Sequence, residues 1–255
     1  MMRILVTFAV EAEFAPWRKL RTLEPVHLDG LEMFRCQIGR ATADFAVTGM
    51  GMENARRGME IAMSIPHTAC IASGFAGSLK PAHKVGDILA ARAVQQLGKS
   101  KTIECSRNLF MAAYENQAIE AKMFLTTDKV IGTAEEKQQL APFADAVDME
   151  SFATLSVAKQ KNLPAVAIRV ISDRFDEDMP ANISTTVDQR GRVKIGGVVK
   201  HVASHPLQLP ALIRLGRQSH TSAQALCHFL EAFIKELSFR NHGWPPPELQ
   251  EIAAR

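Results

Sequence analysis

The sequence predicts an α/β fold, and three observations carry that reading. Strand-like apolar runs alternate with helix-like stretches from residue 3 to residue 173. The run 165–173 is almost continuously apolar through Val166, Ala167, Ile168, Val170 and Ile171, as suits a strand buried on both faces of a sheet. Ionisable residues follow directly on strand ends, where open α/β sheets bind ligands. With 255 residues, 47% hydrophobic and 22% charged, the chain is long enough for one domain with a full core, expected over residues 1–240 with a tail at 241–255.

Residues 3–9 read as the first strand, and Glu11, Ala12 and Glu13 open a helix holding Phe14, Trp17 and Leu20. Acidic side chains in a first turn complement the helix dipole. That alone accounts for Glu11 and Glu13, although a charge straight after a first strand also lies at the sheet's carboxyl edge. Residues 26–38 and 43–48 form an antiparallel pair turned at Gly39 and Arg40. A helix then runs from the Gly49–Asn54 region to about Met63. Gly49 and Gly51 come close to a dinucleotide-binding fingerprint, but the third glycine is missing and no acidic residue ends a second strand at the required distance. No dinucleotide is therefore expected, while the backbone amides there suit an anion or a ribose. Gly98, Lys99 and Ser100 resemble the end of a phosphate loop, but Ala93 stands where that motif needs glycine, so a loop is predicted.

Residues 69–72 are a strand running into Ser73, Gly74, Phe75, Ala76 and Gly77. Small residues there permit close backbone approach to a ligand. A tight turn explains the glycines equally well but not Phe75 among them. A strand from 85 to about 94, a loop and helix over 95–121, a strand and turn over 124–131 and a short helix over 134–140 follow. Residues 146–148 are a short strand, and Glu150 opens a helix of Phe152, Ala153, Leu155, Val157 and Ala158. The next strand ends abruptly in Ser172 and Asp173, so Glu150 and Asp173 are expected to face one crevice. Arg169, inside the apolar run, requires a buried partner. Residues 174–192 read as a long loop and 195–205 as a helix. A second helical region reaches from about Leu207 to Leu237, with Leu226, Phe229, Leu230, Phe233, Ile234 and Leu237 at a 3.6 period that predicts core packing. The tail around Trp244 is expected to be loose or used in oligomer contacts.

Several classes are disfavoured. A net charge of +3, one Tyr and two Trp, with no basic run interleaved with aromatics, give no nucleic-acid surface. Cys36, Cys70, Cys105 and Cys227 are far apart, so neither a metal site nor a disulfide framework is expected. No stretch reaches about 18 uncharged apolar residues, and Met1 to Val6 is too short and too soon polar for a signal peptide. A soluble cytoplasmic protein without stable membrane insertion is the expectation.

In order and spacing, residues 4–13, 48–51, 73–77, 84–88, 147–150 and 169–173 resemble the nucleoside phosphorylase/nucleosidase superfamily. The resemblance is closest to its nucleosidase branch, which includes 5′-methylthioadenosine/S-adenosylhomocysteine nucleosidase, and covers about two-thirds of the chain, from Arg3 to about Asp173. It implies a three-layer α/β/α sandwich around a mixed, partly barrel-like sheet. It also implies cleavage of a purine nucleoside's N-glycosidic bond without cofactor or metal, in a homo-oligomer that is a dimer by analogy. That bond breaks through an oxocarbenium-like sugar, with the purine leaving as an anion unless N7 is protonated. By the resemblance Asp173 is the acid at N7, Glu150 holds the ribose hydroxyls and stabilises the cation, and Glu13 orients and deprotonates the attacking water. Met149 lies under the ribose, Val130 and Ile131 line the purine pocket, and Arg169 orients the acid or a neighbouring loop. Gly74, Phe75 and Ser172 complete the binding residues.

The chain departs from the family pattern at three places. Val130 replaces a stacking aromatic, Phe75 replaces a small residue, and Asp148 stands where Glu is common. Phosphorylases of the superfamily carry an Arg before the glycine segment, and Ala72 occupies that place. Together with the negative charge of Glu13, this favours water over phosphate as nucleophile. Arg40, Arg56 and Arg57 leave phosphorolysis open. The C-terminal third resembles hopanoid-associated phosphorylases, which implies a 5′-modified adenosine such as adenosylhopane, with Leu209, Leu212 and Ile213 as an apolar exit. A nucleoside-binding protein without turnover is the third reading. The retained Glu13, Glu150 and Asp173 speak against it.

Overall fold

The computed structural model describes residues 2–179 and 209–240. β1 (Arg3–Phe8) lies between β4 (Ala41–Val47) and β5 (Ala69–Ser78), parallel to both. The residues expected to pair at the N-terminal edge divide differently from the reading above. A turn at Asp29 and Gly30, with Gly30 at φ +80°, splits residues 26–38 into β2 (Glu24–Leu28) and β3 (Leu31–Ile38). β3 then turns at Gly39 and Arg40 into β4, as expected.

The second half of the sheet closes on itself. β10 (Ala165–Asp173) runs parallel to β5 and antiparallel to β6 (Ile88–Gln96). β6 pairs with β8 (Ile119–Thr126), β8 with β9 (Ala146–Asp148), and β9 returns to β5. Five strands thus form a barrel-like ring inside a ten-stranded mixed sheet, with β7 (Thr102–Glu104) on the outside of β6. Every residue of β10 is buried, which explains its lack of alternation. The segment 73–77 is not a tight turn, the alternative that its glycines left open. It continues β5, because β10 pairs with it as far as Gly77 and holds it extended.

Helices cover the sheet: α1 (Glu11–Leu20), α2 (Met52–Ala62), α3 (Arg107–Glu115), α4 (Ala134–Leu140), α5 (Ser151–Gln160) and α6 (Leu209–Phe239). α1 packs on α6 and α2 on α5. The apolar stripe of α6 enters the main core through Leu226, Leu230, Phe233 and Ile234, all fully buried. Burying each side chain of that size stabilises the fold by about 1.5–3 kcal/mol. The four cysteines are buried thiols. Among the described residues no helix is long and apolar enough to cross a membrane. The helix expected over 195–205, most of the expected 174–192 loop, the side chain of Leu209 and the tail from 241 lie outside the described residues.

Candidate functional site

The parallel strands β1, β5 and β10 end on one side, and a cavity of about 160 Å³ opens there. Its wall includes Glu13, Phe75, Val130, Ile131, Met149, Glu150, Ser172 and Asp173, with Met50 and Met179 beside them. Of the residues expected at the site, Gly74 and Arg169 lie behind this wall rather than on it. A larger, mostly apolar cavity of about 270 Å³ between α1 and α6 carries no carboxylate and shares no residue with it.

Glu13 is placed by two elements at once. As the third residue of α1 it reaches back, and Oε2 accepts hydrogen bonds from the Ala9 and Val10 amides at 2.7 and 3.1 Å. Oε1 accepts from the Phe75 amide on β5 at 2.7 Å. Helix-start electrostatics is thus one part of its role, and the crossing to β5 is the other. Glu11 makes only a surface pair with Arg18. Gly74 makes the crossing possible: at φ +138°, an added Cβ would lie 2.6 Å from Glu13 Oε1 and 2.5 Å from Arg169 Nη1. Burial pushes the Glu13 carboxyl above its ordinary value, while Arg169 and the three amides pull it back.

Glu150 caps the start of α5, and its Oε1 accepts the Gly51 amide at 2.8 Å. The glycine segment at 49–51 therefore presents an amide to an anion, and the anion is a side chain of the protein. Burial pushes Glu150 up to about 7, against the pull of Arg169 and with a further push from Asp148 and Glu13.

Arg169 is the buried counterion of this group. Its Nε is 3.3 Å from Asp148 Oδ2 and its Nη1 3.5 Å from Glu150 Oε2, while Nε and Nη2 both reach Ser151 Oγ. Asp148 in turn accepts the Glu150 and Ser151 amides and the Thr126 hydroxyl on Oδ1. The short carboxylate at this position thus holds the first turn of α5 in place. Ser151 and Thr126 are part of the network and were not singled out in the sequence; a hydroxyl at a helix start gives no sign there that it will meet an arginine.

Asp173 closes the far side. The pairing of β10 with β5 slips between Ile171 and Asp173, and this irregularity lets the adjacent Ser172 and Asp173 both face the cavity. Asp173 Oδ1 accepts from Ser172 Oγ at 2.9 Å. Oδ2 forms an ion pair at 2.6 Å with Lys137 of α4, a fully buried lysine that sequence reading passed over. The available signal was its place on the face 134, 137, 140, one turn before Leu140, which packs on the core. Among the described residues the cavity wall carries no Lys or Arg. Arg40 lies over the Phe239 ring, and Arg57 lines a separate groove with Thr48 and Gly49.

A sequence profile described as phosphorylase superfamily matches residues 3–204. Comparison with curated proteins gives no match. Among solved structures the chain is similar to a futalosine hydrolase mutant of Helicobacter pylori, with TM-score 0.71 and 20% identity over 92% of this chain and 100% of that one. It is similar to the 5′-methylthioadenosine/S-adenosylhomocysteine nucleosidase of Helicobacter pylori solved with butyl-thio-DADMe-Immucillin-A, with TM-score 0.72 and 20% identity over 92% and 99%. The corresponding nucleosidase of Neisseria meningitidis, solved with methylthio-immucillin-A, gives 0.71 and 19% over 92% and 100%. At these identities the likeness establishes the fold.

Proposed function

The chain belongs to the phosphorylase superfamily, and from that premise we propose that it hydrolyses the N-glycosidic bond of a purine nucleoside, most suitably an adenine nucleoside with a modified 5′ position. The observation that carries this reading is Glu13. A carboxylate fixed by three backbone amides and facing Glu150 and Asp173 across one cavity suits a base that takes a proton from water. It repels phosphate, and no cation on the described wall offsets that repulsion.

In this mechanism the C1′–N9 bond lengthens and its electron pair moves into the purine. Asp173 gives a proton to N7, so the base leaves neutral. Glu150, anchored by Gly51 and Arg169, lies against the ribose and stabilises the positive charge that develops on it. Water bonds to C1′ and loses its proton to Glu13. Burial raises the Glu13 carboxyl above its ordinary value and so makes it a stronger base than an exposed carboxylate. Val130 and Ile131 bound the purine, and Met149 and Met50 give an apolar surface to the sugar. The butyl-thio and methylthio immucillins present in the solved structures of the similar nucleosidases support a 5′-modified substrate. Phosphorolysis of a nucleoside such as adenosylhopane has no described cation to hold its phosphate.

The test is release of adenine from 5′-methylthioadenosine, followed with and without inorganic phosphate. Equal release in both supports hydrolysis. Release only with phosphate refutes it, and no release with either refutes this substrate class.

A further inference from the structure

Lys137 lies opposite the reacting side of Asp173 and has no counterpart in the mechanism above. Its ammonium is fully buried, donates to the Arg174 carbonyl at 2.6 Å and the Glu177 carbonyl at 3.0 Å, and forms an ion pair with Asp173 Oδ2 at 2.6 Å. Ordering so long a side chain away from water, on a seven-residue helix, requires compensation, and these contacts supply it. The same contacts fasten the segment after β10 onto α4. The Ala134 amide donates to Asp178 Oδ1 at 2.8 Å and the Met179 amide to the Gly132 carbonyl at 2.7 Å. Ile131 and Met179, which line the cavity, are thereby fixed next to Asp173.

We propose that Lys137 is a positioning residue for departure of the base: its ammonium meets the charge that appears on Asp173 as the proton passes to N7, and fixes that carboxyl against the cavity. The inference rests on the hydrolase reading. Lys137 keeps all its protons throughout. Asp173 loses one to N7, Glu13 gains one from water, and the two are reset through solvent. A fixed cation beside the donor offsets the negative charge that proton transfer leaves on it.

The other charged groups near Asp173 have partners of their own. On α4, Glu136 accepts the Gly132 and Thr133 amides and pairs with Lys129, and Glu135 is exposed. In the following segment Arg174 pairs with Asp176, and Glu177 pairs with Arg214 of α6 and accepts from Gln218. β5 brings Gly77 and Ser78, and Lys80 beyond them donates to the Ala141 carbonyl. Across the cavity Glu13, Asp148 and Glu150 face Arg169. Among the described residues Lys137 is thus the cation in contact with Asp173.

The experiment compares wild type with Lys137→Met, and with Lys137→Gln, which keeps a donor for the carbonyls should the first variant fail to fold. With 5′-methylthioadenosine, kcat falls roughly ten- to a hundredfold while KM stays within about threefold. Damage to the shape of the pocket raises KM along with the loss of kcat, and thermal unfolding of each variant reports damage to the fold. Unchanged kcat, or a loss matched by a rise in KM, overturns the proposal. Should wild type release no adenine, the proposed substrate class fails separately. The role of Lys137 is then decided by the ¹³C resonance of the Asp173 carboxyl, identified by its loss in Asp173→Asn. Its chemical shift changes in Lys137→Met if the ammonium acts on it, and an unmoved shift overturns the inference.

Discussion

Arg169 Nη1 stands 3.5 Å from Glu150 Oε2, and the same guanidinium stands 3.3 Å from Asp148 Oδ2. One buried cation therefore lets two carboxylates, with Glu13 next to them, share the carboxyl end of a sheet. Removing one member of such a buried group leaves the others uncompensated, at a cost of about 3–5 kcal/mol. Arg169→Met is expected to lose that much in urea unfolding. Arg169→Lys is expected to recover little, because a single ammonium cannot reach Ser151, Asp148, Glu150 and the Phe75 carbonyl together. A lysine variant of wild-type stability would remove the account of Arg169 as the shared counterion.

Gly74→Ala is the sharpest test of the route taken by Glu13. The added methyl meets Glu13 Oε1 and Arg169 Nη1 well inside contact distance, at a φ of +138° that an L side chain rarely adopts. The expected result is destabilisation of about 2 kcal/mol or more, and loss of base release beyond what the unfolded fraction explains. Gly98→Ala is the control. Gly98 also has positive φ, +74°, but an added Cβ there has nothing within 4 Å. It is expected to cost backbone strain alone, so equal damage from both variants would show that the close approach at Gly74 is unimportant.

Much of this architecture was legible in the sequence, and the physical reasons differ from residue to residue. The apolar run of β10 and the 3.6 period of α6 report burial directly, so both elements fall where the pattern places them. Arg169 could be read as a buried charge in need of a partner because nothing around it in sequence is polar until Ser172. The segment 73–77 stayed open between a turn and a close approach because glycine signals both equally, and only pairing with β10 decides between them. Lys137 was missed because a lysine on a short polar helix normally faces water. Its burial depends on carbonyls of residues 174 and 177, far away in the chain.

Asp173→Asn is expected to separate chemistry from binding. The amide keeps the shape of the side chain and a hydrogen-bonding oxygen but has no transferable acid proton. A positioned acid contributes roughly 10²- to 10⁴-fold, so kcat for adenine release from 5′-methylthioadenosine should fall by that factor. Calorimetric affinity for the nucleoside should stay within about tenfold, equivalent to about 1.4 kcal/mol. Retained turnover would remove Asp173 from its assigned role.

The pH dependence of stability tests Glu150, whose carboxyl burial holds at about 7 against an ordinary 4.5. Between those values the folded chain binds the proton and the unfolded chain does not. Stability contributed by this group is therefore fully present below about pH 4.5 and declines as pH rises through about 7. The size follows from the width of that window and is about 3 kcal/mol. Glu150→Gln has nothing to ionise, so its unfolding free energy relative to wild type should rise across the same interval and level off above it. Binding of a cationic sugar analogue should run the other way. It needs Glu150 ionised, so affinity should fall by up to tenfold for each unit below about pH 7 in wild type and stay flatter in the Gln variant. Parallel stability curves for the two proteins from pH 4.5 to 7 would mean that Glu150 is ionised throughout and that Arg169 outweighs its burial.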